Sequence, residues 1–392
     1  MRILCVHQGF ELYGSDRCFL ESVQTIRETF PSARLAAQVP RHGPLAARLL
    51  PFVDALEIAP LWVIRKHGLG RLLARAPLEF PRALGRAHAN FRAHDLVYIS
   101  TVTVLDHLLV AALWRDKALL HVHEAPGGWI GAGFGALVRA VAPPTIFNSE
   151  TTRRAYRPSR DMTSYVLHNG VEGPATASPP DYDGQRPLRL LMIGRLSPAK
   201  GQDLLIEACG LLPEALRARV VVKIAGGTFG EQADFEQRLR DMAHDFARER
   251  AGGAVDVLPF VEDAGGLFSW CDLAVVPSRV HESFGRVPVE AMAHARGSIV
   301  AAHGGLLETG EAERNCWRFA PGDAAALSAV LKDAILSPEK VRLYGEAGRR
   351  RFEQKFAAPI IAARLREILR RQAAASRANA APHSLGTPQF FR

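Results

Sequence analysis

The sequence predicts an α/β fold made of two tandem Rossmann-like units. Three observations carry this reading. The chain has 392 residues, too many for one ordinary core and suited to two α/β domains. Short apolar, β-branched runs alternate with longer segments of helical spacing, as in a parallel sheet wrapped by helices. A Gly- and Pro-rich stretch divides that alternation into two halves.

In the first half, Ile3–His7 reads as a strand and Asp16–Phe30 has helical spacing. Leu96–Ser100 is a strand, Val104–Arg115 is helical, and Leu119–His123 and Thr145–Asn148 are again strand-like. Residues 1–172 are thus expected to form the first domain. From Gly173 to Pro187 the chain carries Pro174, Pro179, Pro180 and Gly184 with few apolar residues, the composition of an interdomain linker. The pattern restarts with the strand Leu188–Gly194 and the helix Gln202–Leu212, followed by strands Val220–Ala225, Val255–Pro259, Leu273–Val276 and Ser298–Ala302. A second domain over 188–355 follows, then a C-terminal helix over 356–372 that is expected to pack back towards the first domain. Residues 373–392 mix Ala, Ser, Asn and Pro without period and are expected to form a disordered tail.

Bulk properties narrow the function. The net charge is +9, which attracts phosphates of any kind, but Arg is spread along the whole chain and no aromatic-rich basic motif for RNA or DNA is present. No nucleic-acid partner is expected. The five cysteines, Cys5, Cys18, Cys209, Cys271 and Cys316, have neither zinc spacing nor a disulfide pattern. The first apolar run is too short for a signal peptide, and no stretch approaches the length of a spanning helix. A cytoplasmic protein, or one peripheral on the inner face of the cell membrane, is expected.

Two segments carry the chemistry. His281-Glu282-Ser283-Phe284-Gly285-Arg286-Val287-Pro288-Val289-Glu290 follows the strand Leu273–Val276. Pro288 places a helix start near Arg286, with Glu290 in its first turn. A helix N-terminus offers free N–H groups and partial positive charge to a phosphate, and Gly285 lets the backbone come close. From Glu290 a carboxylate can accept hydrogen bonds from both hydroxyls of a ribose. Gly194-Arg195-Leu196-Ser197-Pro198-Ala199-Lys200-Gly201 leaves the first strand of the second half and puts two cations, Arg195 and Lys200, on one loop. A departing diphosphate needs such neutralisation. The loop lacks a Walker A pattern, and neither half opens with G-x-G-x-x-G, which disfavours an ATPase and a nicotinamide dehydrogenase.

Taken together these motifs resemble the retaining glycosyltransferases of GT-B fold, specifically glycosyltransferase family 4. Glu282 through Glu290 is similar to the family's E-x7-E element, and 194–201 to its G-R-L-x-x-x-K-G element. His303-Gly304-Gly305-Leu306-Leu307-Glu308 is similar to the G-G-x-x-E loop, and His168-Asn169-Gly170-Val171 to the N-G-V element. The resemblance implies two Rossmann-like domains facing each other across a cleft, and transfer of a sugar from a nucleotide diphosphate sugar to a hydroxyl acceptor. That acceptor would be a saccharide or a lipid-linked saccharide in bacterial surface polysaccharide or glycolipid synthesis.

By the same resemblance Arg195 and Lys200 neutralise the diphosphate and Glu290 holds the ribose. Ser283, Phe284 and Gly285 contact phosphate or sugar through backbone, and Glu282 faces the donor sugar. Gly14, in Gly14-Ser15-Asp16-Arg17, belongs to the family's glycine loop, and His123, in His121-Val122-His123-Glu124, resembles its active-site histidine. No metal or other cofactor is implied: His121 and His123 lack an evident third ligand. Two other readings stay open, a non-hydrolysing sugar-nucleotide epimerase of the same fold and a non-catalytic nucleotide-sugar binder.

Residues 60–92 hold Arg65, Lys66, Arg71, Arg75, Arg82, Arg86 and Arg92 against the single acid Glu79. Pro77 and Pro81 are expected to separate two short helices there. These either pack on the first sheet as ordinary surface helices or dock on an anionic membrane.

Overall fold

A computed structural model describes residues 1–64, 69–125, 127–227, 233–248 and 253–380. The chain divides into two units. Unit 1 comprises Met1–Asn148, Arg153–Leu167 and the chain from Ala362 on; unit 2 comprises Ser149–Thr152 and His168–Ile361.

Unit 1 runs β1 (Arg2–His7), α1 (Gly14–Thr29), β2 (Arg34–Val39), α2 (Pro44–Leu49), β3 (Ala55–Ile58), α3 (Leu69–Ala93), β4 (Leu96–Ser100), α4 (Leu105–Val110), β5 (Ala118–Val122), α5 (Gly128–Val141), β6 (Thr145–Phe147), α6 (Glu150–Tyr156, whose residues up to Thr152 belong to unit 2) and β7 (Ser164–Val166). The strands form a parallel sheet in the order β3-β2-β1-β4-β5-β6-β7. Ile3 to Val6 are fully buried without alternation, as expected of a parallel strand covered on both faces.

The proline-split pair of helices expected over 60–92 is one helix, α3, with Pro77 and Pro81 inside it. Each proline removes a backbone donor at a cost of about 3 kcal/mol in a helix interior. The helix persists because Ala83, Ala87 and Phe91 are buried in the unit's core, and tertiary packing outweighs local propensity. Arg82, Arg86 and Arg92 are exposed on it. Arg65 and Lys66 lie outside the described residues, as do the side chains of Arg71 and Arg75.

Unit 2 runs β8 (Leu188–Ile193), α7 (Gln202–Gly210), α8 (Glu214–Arg217), β9 (Val220–Ala225), α9 (Ala233–Arg248), β10 (Ala254–Leu258), α10 (Gly265–Trp270), β11 (Leu273–Val276), α11 (Arg286–Ala293), β12 (Gly297–Ala301), α12 (Leu306–Thr309), β13 (Cys316–Phe319), α13 (Ala324–Leu336) and α14 (Pro338–Lys355). Its parallel sheet has the order β10-β9-β8-β11-β12-β13.

The segment 173–187, read as a linker, is fixed on this unit. Tyr182 is buried and its hydroxyl donates to the Ile335 carbonyl at 2.8 Å, while Arg186 pairs with the buried Asp272 at 2.7 Å. A low apolar content hid these few strong anchors.

The last helix, α15 (Ala358–Ala380), extends beyond the residue 372 read as its end, so the tail expected from 373 is helical at least to Ala380. Ala373 and Ser376 are buried, and the Ser376 hydroxyl donates to the Asp95 carbonyl at 2.9 Å. Ala is the strongest helix former, and this packing stabilises a segment whose composition alone looked structureless. Residues 381–392 lie outside the described residues.

Candidate active site

In unit 2 the winding direction reverses between β8 and β11, the position where open α/β sheets bind ligands at the carboxyl ends of their strands. Both charged motifs leave the sheet there. The loop after β8 carries Arg195 and Lys200, and the loop after β11 carries Glu282. The two loops are stitched together. The Arg279 amide donates to the Ala199 carbonyl at 2.8 Å, its guanidinium reaches the Pro198 carbonyl at 2.9 Å, and it pairs with Asp203 at 2.7 Å. Gly201 makes the approach possible. Its φ is +81°, and a Cβ there would fall 2.2 Å from the Pro277 carbonyl oxygen.

This crossing brings Lys200 and Glu282 together, at 2.5 Å between Nζ and Oε1. The Ser278 hydroxyl donates to the same oxygen at 2.6 Å. Burial opposes the Glu282 charge, but the Lys200 ammonium, its hydrogen bond and that of Ser278 outweigh it and hold the carboxyl below its ordinary range. Lys200 has three donors, so two remain for ligand oxygens beyond the one given to Glu282. Arg195 stands exposed at the start of its loop, and Gln202 holds its carbonyl oxygen at 2.9 Å.

Gly285 caps α11 in the left-handed region at φ +93°, and a Cβ there would fall 2.6 Å from Leu306 Cδ2. Pro288 is the third residue of α11 and Glu290 the fifth, so Glu290 lies in the second turn and not the first. Its carboxylate lies 3.4 Å from Arg286 Nε. The Phe284 ring is a core side chain, 1% exposed, stacked near His168 and edge-on to Phe356. The Ser283 carbonyl accepts from the hydroxyls of Ser149 at 2.5 Å and Thr152 at 3.2 Å. That oxygen anchors the 149–152 segment.

Glu308, at the end of the G-G-x-x-E element, likewise has a structural partner. Its two oxygens accept the backbone N–H groups of Glu150 at 2.8 Å and Thr151 at 2.6 Å, at the start of α6. Against the penalty of burial, His168 and these amides lower its pKa to about 2. A carboxylate at a helix N-terminus is stabilised in this way.

Gly14 and His123 belong to unit 1. Gly14 is the exposed first residue of α1. Asp16 starts that helix: one oxygen accepts the Tyr13 amide at 3.0 Å and the other meets His7 Nε2 at 2.8 Å. His123 is buried just past β5, its carbonyl held by Asn148 at 3.2 Å and its ring 4.0 Å from that of His121. His121 lies 2.5 Å from the Tyr98 hydroxyl, and burial pushes its pKa down to about 3, so it is neutral. Among the described residues no three His, Cys, Asp or Glu side chains gather as a metal site.

Sequence reasoning missed a group of unit 1 side chains: Gln8, Thr101, Thr103 and Glu124 are mutually hydrogen-bonded where β1, β4 and β5 end. Only Glu124, next to His123, lay in a motif that drew notice.

Comparison with known proteins bears on family and fold. Residues 183–351 match the family described as glycosyl transferases group 1. The chain is 39% identical over 126 residues to a D-inositol 3-phosphate glycosyltransferase of Nocardioides sp., covering 30% of this chain and 27% of that relative. It is 27% identical over 331 residues to the UDP-N-acetylglucosamine–N-acetylmuramyl-(pentapeptide) pyrophosphoryl-undecaprenol N-acetylglucosamine transferase of Alkalilimnicola ehrlichii, covering 79% of this chain and 84% of that one. Among solved structures, Anabaena Alr3699/HepE in complex with UDP and glucose superposes with a TM-score of 0.76 at 22% identity, over 94% of this chain and 99% of that one. The chain thus spans well under two thirds of the first relative's length, and the structural likeness bears on fold. On these grounds the chain is an α/β protein of GT-B fold, and its residues 183–351 match the model of the group 1 glycosyl transferases.

Proposed function

We propose that the chain is a retaining glycosyltransferase that moves a sugar from a nucleotide diphosphate sugar to a hydroxyl acceptor. The observation that carries this reading is the Lys200–Glu282 pair at the strand-order reversal of unit 2, beside the N-terminus of α11. The likeness to a structure holding UDP and glucose supports a nucleotide-sugar donor.

The chemistry needs a leaving diphosphate to be stabilised as the glycosidic bond breaks with oxocarbenium-like character. Arg195, Lys200 and the amides at Gly285 and Arg286 supply cations and oriented donors for its oxygens. Glu290 accepts the ribose hydroxyls, with Arg286 holding its carboxylate. Glu282 plays two parts, fixing Lys200 in place and facing the donor sugar. His123 orients the sugar, and Gly14 lets the start of α1 approach a phosphate. The acceptor attacks on the face the diphosphate leaves, which retains configuration, and a departing phosphate oxygen takes the acceptor proton. No metal is required in this scheme, because side chains and helix amides neutralise the charge. Saccharides and lipid-linked saccharides are the proposed acceptors. Residues 60–92 are proposed to hold the protein on an anionic membrane surface.

A thermal-shift screen against UDP-, GDP- and ADP-sugars identifies the donor, and the anomeric configuration of the product by NMR decides retention. Unchanged turnover in EDTA supports independence from metal. Conversion of donor alone to its epimer, without acceptor, would replace transfer by epimerisation. Salt-sensitive binding to anionic vesicles, lost in Arg82→Glu and Arg86→Glu, is expected; no binding at low salt removes the membrane part.

A further inference from the structure

In unit 1 the order β3-β2-β1-β4-β5 reverses winding between β1 and β4, the same kind of ligand position as in unit 2. Four side chains on the segments leaving β1, β4 and β5 close a ring there. The Thr101 hydroxyl lies 2.5 Å from Glu124 Oε1 and 3.0 Å from the Thr103 hydroxyl. Thr103 lies 2.5 Å from Gln8 Oε1, and Gln8 Nε2 donates back to Glu124 Oε1 at 3.4 Å. Thr101 sits at φ +92°, a region a β-branched residue rarely adopts. Such strain persists only where surroundings impose it, and it clusters at functional sites.

The protons of this ring can be counted. Three oxygen–oxygen contacts run from Glu124 through Thr101 and Thr103 to Gln8, and the two threonines bring two hydroxyl protons. With an ionised carboxylate one contact has no proton. A proton on Glu124 Oε1 completes the chain in one direction and ends it on the Gln8 carbonyl oxygen. Independently, Glu124 Oε2 is buried and, among the described residues, accepts no hydrogen bond. An ionised oxygen there would bear a heavy desolvation cost, and the carbonyl oxygen of a neutral acid bears a smaller one. Burial, outweighing the Thr101 hydrogen bond, the influence of His7 and the nearby backbone amides of His123 and Glu124, also raises this carboxyl above its ordinary range. Around it, His7 is committed to Asp16 and Ser100, His123 adjoins it in the chain, and burial pushes the Tyr156 phenol up.

We propose that this ring is the back wall of an uncharged subsite for a hydroxyl-rich ligand, contacted by Gln8 and Thr103, with Glu124 behind them as a protonated positioning residue. Gln8 keeps one amide proton and Thr103 a lone pair beyond the ring, a neutral donor and acceptor that match a sugar hydroxyl better than an ion. Both side chains are half-buried, so their outer edges reach solvent. Identifying the ligand as the acceptor of the transfer rests on the function proposed above; the protonation of the ring does not.

Two measurements test this without turnover. Infrared difference spectra of wild type minus Glu124→Gln at neutral pH are expected to show a protonated-carboxyl C=O band; an ionised carboxylate signal instead overturns the proposal. Saturation-transfer NMR against a mixture of methyl hexosides is expected to show binding that Gln8→Ala, Thr103→Val and Glu124→Ala remove. Glu124→Gln, whose amide can donate to Thr101 and keeps the three-contact chain to Gln8 while giving up the 3.4 Å contact from Gln8 Nε2, is expected to restore it to within about threefold of wild type. Binding that survives Gln8→Ala and Thr103→Val, equal loss in Glu124→Gln and Glu124→Ala, or no methyl hexoside bound by folded wild type overturns it. A protein that binds methyl hexosides but no nucleotide sugar would sink the transferase reading and leave the subsite standing.

Discussion

At the carboxyl edge of unit 2 an ammonium meets a carboxylate, and the carboxylate is held in its charged form by that contact. At the same edge of unit 1 a carboxyl group meets one hydroxyl and one amide, and burial drives it towards its neutral form. Both edges lie where strand order reverses, so topology puts a ligand position at each. What differs is whether a buried acid has a cation beside it. The diphosphate site proposed in unit 2 answers charge with charge. The subsite proposed in unit 1 gives and takes hydrogen bonds without charge.

The sharpest way to break this contrast is to remove the cation. Lys200→Ala is expected to lower turnover of the donor by about a hundred- to a thousandfold, because it removes a positioned charge and leaves Glu282 unpaired. The loss of Lys200 also raises the Glu282 pKa, so ionisation of this group moves to higher pH in the variant. Steady-state kinetics across pH checks both, and an undiminished rate removes unit 2 from the chemistry.

Next in size is the backbone crossing that sets the pair. Gly201→Ala forces a Cβ against the Pro277 carbonyl at a positive φ. It is expected to cost about 2 kcal/mol or more in denaturant unfolding.

Glu308 sharpens the contrast from another side, as a charged carboxylate in unit 2 with a structural task. Its pKa is depressed to about 2, so its contribution is fully present above the ordinary carboxylate pKa and is lost as pH falls through about 2. Glu308→Gln should destabilise the fold by about 2 kcal/mol at pH 7, with a gap that narrows once pH drops below about 4. Urea titrations of both proteins at several pH values decide this.

The smallest effect is expected at Glu290. Glu290→Ala should raise the donor KM by about tenfold, the loss of a hydrogen-bonded ribose, with the fold intact. An unchanged KM would free Glu290 from that task.

Much of unit 2's site was legible because its groups are charged and arrive in short motifs. Gly194 through Gly201 and Glu282 through Glu290 each sit within ten consecutive residues. The strands and helices carrying them follow from apolar periodicity. Legibility failed where a residue's type suits two tasks. The Ser283 carbonyl and the Glu308 carboxylate, both inside motifs read for a donor, hold the 149–152 segment. Pro77 and Pro81 read as breaks and do not break α3, because core packing outweighs two missing donors.

By itself the sequence determined the α/β architecture, the two tandem units and the charged loops of the second, since periodicity and motif spacing are local properties. Only the tertiary structure decided which groups meet. Lys200 reaches Glu282 across 82 positions because a glycine lets two loops touch. Gln8, Thr101, Thr103 and Glu124 form one ring because three neighbouring strands end together. Hydrogen bonds and desolvation act over a few ångströms of space, and distance along the chain does not report them.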